Sequence, residues 1–434
     1  MDKMADVLGR AGAWCGQNKY LSAIKNAFQN FMPLTIAGAI GVLWCNVLVN
    51  ESTGLGIFFK PIMALEFLNP AFQAVNFCTI SCITVGITLG IAQEIGVWNM
   101  GAEKAGYIPG LVGLAAWLSV TNTSHMVEGA KEAFTGIAGN ELGATGLFTG
   151  MIIGVLSVEL FCFFEKQDAL KIKMPEQVPP GVARAFEVLV PATITLIITA
   201  CIGSACYNLT GLYLNDVIKN GIQGPLGAVG ATIPGVMIIY LVIMLFWLVG
   251  IHGNNMLSAV KEALFTPLAL ENVEKFNKGE KPTNIINMYA LQMWGEFGGS
   301  GVTIGLVIAI MIFGKREDNK AIASLSLVPG LFNINETVTF GIPMVLNPIL
   351  GIPFVFACLV TILVGYVLTV IGFCPVACLT VPWTTPPIVF GFLACGANVM
   401  GAVTQAILIV VSTVIYVPFL IAYEKYQNKQ AAEA

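Results

Sequence analysis

Charge is what this sequence has least of: Asp, Glu, Lys and Arg make up 11% of its 434 residues, against 56% hydrophobic ones. With a mean hydropathy of +0.80, that balance excludes an ordinary soluble chain. The net charge of −4 gives no reason to expect a nucleic-acid partner. A GxxxxGK[ST] phosphate loop is missing, as is a GxGxxG after a strand, so nothing points to an ATP-driven pump. The first 30 residues hold no apolar core of the signal-peptide kind, and the N-terminus is expected to be retained. Eleven cysteines are present, but a paired CxxC with nearby histidines is not. Cys45, Cys78, Cys82, Cys162, Cys201, Cys206, Cys358 and Cys395 lie inside apolar runs and read as small hydrophobes rather than metal or redox groups. No cofactor and no metal are expected.

What is abundant is length of apolar chain. "FMPLTIAGAIGVLWCNVLV", "TGLFTGMIIGVLSVELFCFF", "LVPATITLIITACIGSACY", "PGVMIIYLVIMLFWLVGI" and "AVTQAILIVVSTVIYVPFLIAY" each suffice to cross a bilayer core of roughly 30 Å. Weaker segments near 73–93, 106–120, 297–314, 351–373 and 385–397 bring the expectation to about ten crossings. The fold class is therefore all-α, a polytopic membrane protein. Ahead of the first crossing, Val7, Leu8, Ala11, Trp14, Leu21, Ile24 and Phe28 recur at helical spacing, predicting an amphipathic leader over 1–30. Lys3, Arg10, Lys19 and Lys25 in that leader, with Lys166, Lys171, Lys173 and Arg184 in "EKQDALKIKMPEQVPPGVAR", place both on the cytoplasmic side by the positive-inside rule. The latter loop is the expected boundary between membrane halves, 31–184 and 185–434.

Within the apolar sequence, surviving polar groups are the informative ones. Between Lys320 and Glu424 the only charged side chain is Glu336, and between Lys219 and Lys261 the only side chain that titrates near neutral pH is His252. Ionisable groups at membrane depth are costly and usually face a cavity, a partner or a substrate path. His252 stands in "GIHGNN", where an apolar helix stops and a new helical pattern begins with an Asn in the cap position. Glu336 stands in "LVPGLFNINETVTFGIPMVLNP", where Pro329 and Gly330 break the chain and Asn333-x-x-Glu336 has the spacing of a capping box. Glu336 can thus serve a helix start, a ligand, or both. Broken segments of this kind predict re-entrant hairpins near 252–292 and 329–353. Asn254, Asn333 and Asn335 add polar atoms. Trp247 and Trp383 add indole faces of the kind that pack on the C–H face of a pyranose while a carboxylate and an imidazole bond its hydroxyls. A second reading uses the same residues, a proton-coupled secondary transporter with Glu336 and His252 as relay, and a third is a membrane enzyme acting on lipid-linked sugars. The latter lacks any carboxylate cluster with metal spacing.

"LVPGLFNINETVTFGIPMVLNP", "GIHGNN", "GGSGVTIGLVIAI", "LGATGLF" and "VPWTTPPIVFGFLACG" resemble the membrane component, enzyme IIC, of bacterial phosphoenolpyruvate-dependent sugar phosphotransferase systems, in the lactose, cellobiose and diacetylchitobiose branch. The likeness starts at "KYLSAIKNAF" and covers essentially the whole chain. It implies a homodimer in the bacterial cytoplasmic membrane, with an N-terminal half for dimer contacts and a C-terminal half that carries a disaccharide inward by an elevator-type movement. It also implies that Glu336 and His252 bind sugar hydroxyls, that Trp247 and Trp383 line the pocket, and that a cytoplasmic IIB partner, charged by IIA, phosphorylates the sugar. Because the chain ends at "YEKYQNKQAAEA" directly after the last apolar run, IIA and IIB are expected on separate proteins. Glu336 is a candidate general base for the hydroxyl to be phosphorylated. Two departures stand out: Thr337 replaces the Pro common after that glutamate, and Glu296 in "MWGEFGGSG" is an acid where uncharged residues are usual, making it a further candidate sugar ligand.

Overall fold

The computed structural model describes residues 10, 14, 17–51, 56, 59–125, 134–175, 177–225, 230–342, 344 and 347–433. It is helical almost throughout; among the described residues the only strands are Ser124–His125 and Phe134–Thr135, paired antiparallel with Ser124 opposite Thr135. Lys19–Leu48, Ala144–Glu165, Pro180–Thr210, Gly351–Val370 and Val399–Glu433 are long and apolar enough to span a membrane. Two bent pairs, Lys60–Ser81 with Ile83–Met100 and Met288–Val302 with Ile304–Phe313, bring the number to seven by length and composition. Hydropathy alone suggests about ten, because several apolar runs are cut by Gly and Pro into pieces such as Ile108–Val120 and Ile233–Leu248. Leu156, Phe163, Ile197, Leu209, Val410 and Val414 remain exposed on the long helices, a surface suited to hydrocarbon rather than water.

Most of the expected leader, residues 1–9, 11–13 and 15–16, lies outside the described residues. From Lys19 the chain is helical without interruption to Leu48, so no structural boundary falls at residue 30. The N-cap is Asn18, whose Oδ1 accepts from the amides of Tyr20 and Leu21 at 3.1 Å.

The chain forms two compact units. One comprises Gln17–Gly38 and Ala74–Ala228, the other Met1–Gly16, Ala39–Gln73 and Val229–Ala434. In the first, small residues let continuous helices meet closely. A methyl on Gly113 would fall 2.3 Å from Ala92 Cβ, and one on Gly150 would fall 2.2 Å from Thr88 Oγ1. The Pro180–Thr210 helix packs on Ile108–Val120 and Ala144–Glu165 in the same unit. The 166–179 loop therefore joins helices of one unit. A local reason is electrostatic: Glu165, 1% exposed, accepts from Arg184 at 3.0 Å and pairs with Lys104 at 2.9 Å, pinning both ends of the loop together.

The second unit combines the long helices Gly351–Val370 and Val399–Glu433 with shorter, interrupted ones, and carboxamides replace regular backbone pairing in its loops. Asn272 and Asn287 both donate to Ala377 O, at 3.0 and 3.1 Å, and both donate to Asn284 O. Asn287 also caps the Met288–Gly295 helix through the amides of Tyr289 and Ala290. Buried Gln405 accepts from Ile388 N and Gly391 N at 2.8 and 2.7 Å, holding the irregular segment after Trp383 against the Val399–Glu433 helix. At the start of the Glu317–Leu331 helix, the buried Glu424 carboxylate accepts from Lys315 N, Arg316 N and Asn319 Nδ2, filling the place of a cap.

Candidate functional site

The Ile233–Leu248 helix begins with Thr232 accepting from Gly235 N and with Pro234 in its first turn. It stops at Gly250, whose φ of +81° suits glycine, while Ile251 N donates back to Phe246 O at 3.0 Å. The chain then folds onto its own helix so tightly that a methyl on Gly253 would sit 2.0 Å from Ile243 O. These two glycines place His252 at the turn. The expected Asn cap is corrected here: His252 itself is the N-cap of the Gly253–Met256 turn, its Nδ1 accepting from Asn255 N at 3.2 Å. An imidazole that accepts at Nδ1 carries its proton on Nε2 when neutral.

Glu336 is delivered by a second break. The Glu317–Leu331 helix ends over Pro329 and Gly330, and Asn333 takes a left-handed φ of +63°. The capping box does not form. Asn333 turns away from the helix start, accepting from Gly298 N at 2.6 Å and donating to the carbonyls of Trp383 and Thr385. Asn335 occupies the cap position without a side-chain cap bond and donates to Ser300 O at 2.8 Å. Both asparagines are engaged by the glycine-rich Gly298–Gly301 loop, and the Glu336 carboxylate stays about half exposed at the head of the Glu336–Gly341 helix. Part of the second expected hairpin, residues 343, 345 and 346, lies outside the described residues.

His252 Nε2 and Glu336 Oε1 stand 4.0 Å apart, with side chains 39% and 48% exposed. The separation is too long for a direct hydrogen bond. A pair so exposed contributes at most about 1 kcal/mol to stability, so folding does not account for bringing the two together. It does suit a hydroxyl group: with bonds of about 2.8 Å, one oxygen can accept from Nε2–H and donate to Oε1 at an angle of roughly 90°.

The flanking groups fall into two sets. Trp247 is 3% exposed and lies beneath the imidazole, ring centroids 4.5 Å apart, with Phe354 edge-on at 6.4 Å. It supports His252 rather than offering an open face. Its Nε1 and the Oδ1 of Asn254 are buried without hydrogen-bond partners, while Asn254 Nδ2 donates to Ser300 Oγ at 3.1 Å. An unmatched donor and an unmatched acceptor beside His252 would each cost about 1–3 kcal/mol if left dry, so both are suited to a polar ligand or water. Trp383 reaches this region through its carbonyl bond to Asn333, with its side chain 43% exposed.

Glu296 has a different setting from His252 and Glu336. It follows the Met288–Gly295 helix, forms an ion pair with Lys261, and accepts from Tyr240 Oη at 2.7 Å. Sequence reasoning did not single out Lys261, Tyr240, Ser300 or Gln405. Lys261 had a signal, being the charge that ends the uncharged run after Lys219; the others are ordinary residues in apolar sequence. Among the described residues no group of three or more His, Cys, Asp or Glu side chains could hold a metal ion.

A family model described as "Phosphotransferase system, EIIC" matches residues 25–358. The chain is 33% identical to the oligo-beta-mannoside-specific EIIC component of Bacillus subtilis (strain 168), covering 98% of this chain and 94% of that one. It is 29% identical to the cellobiose-specific EIIC component of Lactococcus lactis subsp. lactis (strain IL1403), with 98% of each covered. Among solved structures it is similar to the crystal structure of the transporter ChbC, the IIC component of an N,N'-diacetylchitobiose-specific phosphotransferase system. That likeness has a TM-score of 0.88 at 29% identity and covers 97% of both chains.

Proposed function

The chain belongs to the EIIC family of sugar phosphotransferase systems, and from that premise we propose that it binds a disaccharide such as cellobiose or diacetylchitobiose and carries it inward for phosphorylation by a separate IIB protein. The observation that carries this reading is the His252–Glu336 pair, two groups from distant breaks that face each other at the spacing one sugar hydroxyl can bridge. Trp247 braces the imidazole, Asn254 offers a free acceptor, and Trp383 and Glu296 lie on segments tied to the same glycine-rich loop or its flank. Asn333 and Asn335 serve the sugar by fixing that loop.

Further parts of the proposal concern the assembly. The unit containing Val229–Ala434 is the moving, sugar-carrying one, its breaks at 249–257 and 332–336 forming the tips of re-entrant hairpins, and the unit containing Ala74–Ala228 is the dimer scaffold. With the other apolar segments these hairpins complete about ten crossings, and movement between faces is of the elevator type. Lys166, Lys171, Lys173 and Arg184 put their loop and the N-terminus in the cytoplasm. Glu336, when it holds the hydroxyl to be phosphorylated, acts as its general base. Family membership does not favour a proton relay through the same pair.

The test is binding of radiolabelled cellobiose, diacetylchitobiose and lactose to the purified protein, repeated with Glu336→Ala. At least one sugar should bind to the wild type, and that binding should fall by about two orders of magnitude in the variant; undiminished binding removes the site assignment. Accumulation in vesicles should require phosphoenolpyruvate with IIA and IIB, whereas accumulation driven by a pH gradient alone would restore the carrier reading. For the base role, Glu336→Gln should retain sugar binding better than it retains phosphorylation.

A further inference from the structure

We propose that Lys261 is a positioning residue for the sugar site: by neutralising Glu296 it locks the glycine-rich loop that holds the Glu336 segment to the helices that carry His252. The inference rests on the reading of His252 and Glu336 as sugar ligands. Lys261 is 5% exposed, and its ammonium pairs with Glu296 Oε1. The same oxygen receives the Tyr240 hydroxyl, and the Lys261 ammonium lies 5.5 Å from the centre of the Tyr240 ring. One carboxylate oxygen thus joins three elements: Ile233–Leu248, which leads into His252; Ser258–Asn277, which follows the His252-capped turn; and the end of Met288–Gly295.

Position along the chain makes this junction consequential. Glu296 is two residues before Gly298, whose amide is held by Asn333, and four before Ser300, whose carbonyl is held by Asn335 and whose hydroxyl is held by Asn254. Asn335 immediately precedes Glu336, and Asn254 lies two residues after His252. A displacement of Glu296 therefore reaches both members of the 4.0 Å pair through short, bonded paths. Removing the ammonium alone leaves a carboxylate that is only 17% exposed with the Tyr240 hydroxyl as its remaining partner among the described residues, an incentive to move toward solvent. Among the described residues Lys261 makes no hydrogen bond or ion pair with His252 or Glu336; its bonded path to the pair runs through Glu296, while its charge also acts on the imidazole through space.

The experiment is a binding cycle with radiolabelled cellobiose and diacetylchitobiose on the full-length protein, using Lys261→Met and Glu336→Gln singly and together. Lys261→Met should weaken binding about tenfold or more in the wild-type background, yet change it by less than about threefold where Glu336→Gln has already replaced the carboxylate being positioned with an uncharged amide. The same loss in both backgrounds, or no loss in either, overturns the inference. Should Lys261→Met fail to give a monodisperse protein, Lys261→Met combined with Glu296→Gln removes both charges and should fold. In that pair, binding as tight as wild type would overturn the positioning role, and weakened binding that is insensitive to Glu336→Gln would support it. A normal Glu336→Gln effect without a Lys261 effect removes only the present inference, whereas undiminished binding in Glu336→Ala removes the site reading and this inference with it.

Discussion

The breaks that carry His252 and Glu336 solve the same problem in opposite ways. At 249–257 the functional side chain is part of the construction: His252 caps the turn through Nδ1 and leaves only Nε2 for a ligand. At 332–336 the neighbours do the construction, Asn333 and Asn335 bonding the Gly298–Gly301 loop, and among the described residues no hydrogen bond holds the Glu336 carboxylate. The difference teaches which residue is present for function alone. Replacing His252 disturbs a turn, but a charge as uncommitted as Glu336 in an apolar segment has no structural reason to persist.

The sharpest way to break the comparison is to damage the loop that serves the Glu336 side. Gly299 sits at φ +86° and ψ −174°, a region open in practice only to glycine, and a methyl there would fall 2.6 Å from Asn335 Cβ. Gly299→Ala should cost about 4 kcal/mol, combining backbone strain with overpacking. The expected signature is a large drop in the thermal midpoint of detergent-solubilised protein and loss of sugar binding. A variant as stable as the wild type would mean that the loop and the asparagines are not tightly joined.

Asn333→Ala should follow at about 3 kcal/mol, through loss of its bond to Gly298 and of those to the Trp383 and Thr385 carbonyls, together with the left-handed φ that asparagine tolerates and alanine does not. Thermal unfolding checks it, and Asn333→Gly separates the causes. The glycine variant should recover the backbone part only, leaving the side-chain part of the loss.

His252→Asn divides the two roles that the first break combines. Asparagine is a good cap, so the turn should keep its stability to within about 0.5 kcal/mol. It has no group where Nε2 stands, so sugar affinity should fall at least about tenfold, roughly 1.4 kcal/mol. Equal losses in stability and affinity would show that capping, not ligation, explains the histidine.

How much of this was legible beforehand depends on the kind of signal. The long apolar helices, the two breaks and the isolated groups His252 and Glu336 could be read because hydrocarbon penalises charge and because Gly and Pro mark chain interruption. The capping box could be written from the N-x-x-E spacing, yet it does not form, because Asn333 finds a partner thirty-five positions away at Gly298. Spacing within a segment says nothing about such distant competitors. Distance matters in the same way for the 166–179 segment: a charged, Pro-containing loop resembles a linker until Arg184 is seen to reach Glu165. Glu296 was noticed as an extra acid, but its meaning lay in Lys261 and Tyr240, on two other helices.

The mildest change addresses Thr337, the residue after Glu336 at the helix start, where the resemblance led to the expectation of a proline. With Asn335 as cap, Glu336 is the first helical residue and Thr337 the second, a place where the backbone amide has no partner within the helix and a proline ring can be accommodated. Proline also disfavours the helical conformation of the residue before it, here Glu336, so the rigidity gained at one position is opposed at its neighbour. Thr337→Pro should therefore alter stability by less than about 1 kcal/mol in either direction and sugar affinity by less than about threefold. Measuring both sharpens the comparison between the breaks: if the carboxylate is positioned by the loop bonds of Asn333 and Asn335, the identity of the next residue matters little. A change in affinity of tenfold or more would instead place the control of Glu336 in the first turn of its own helix.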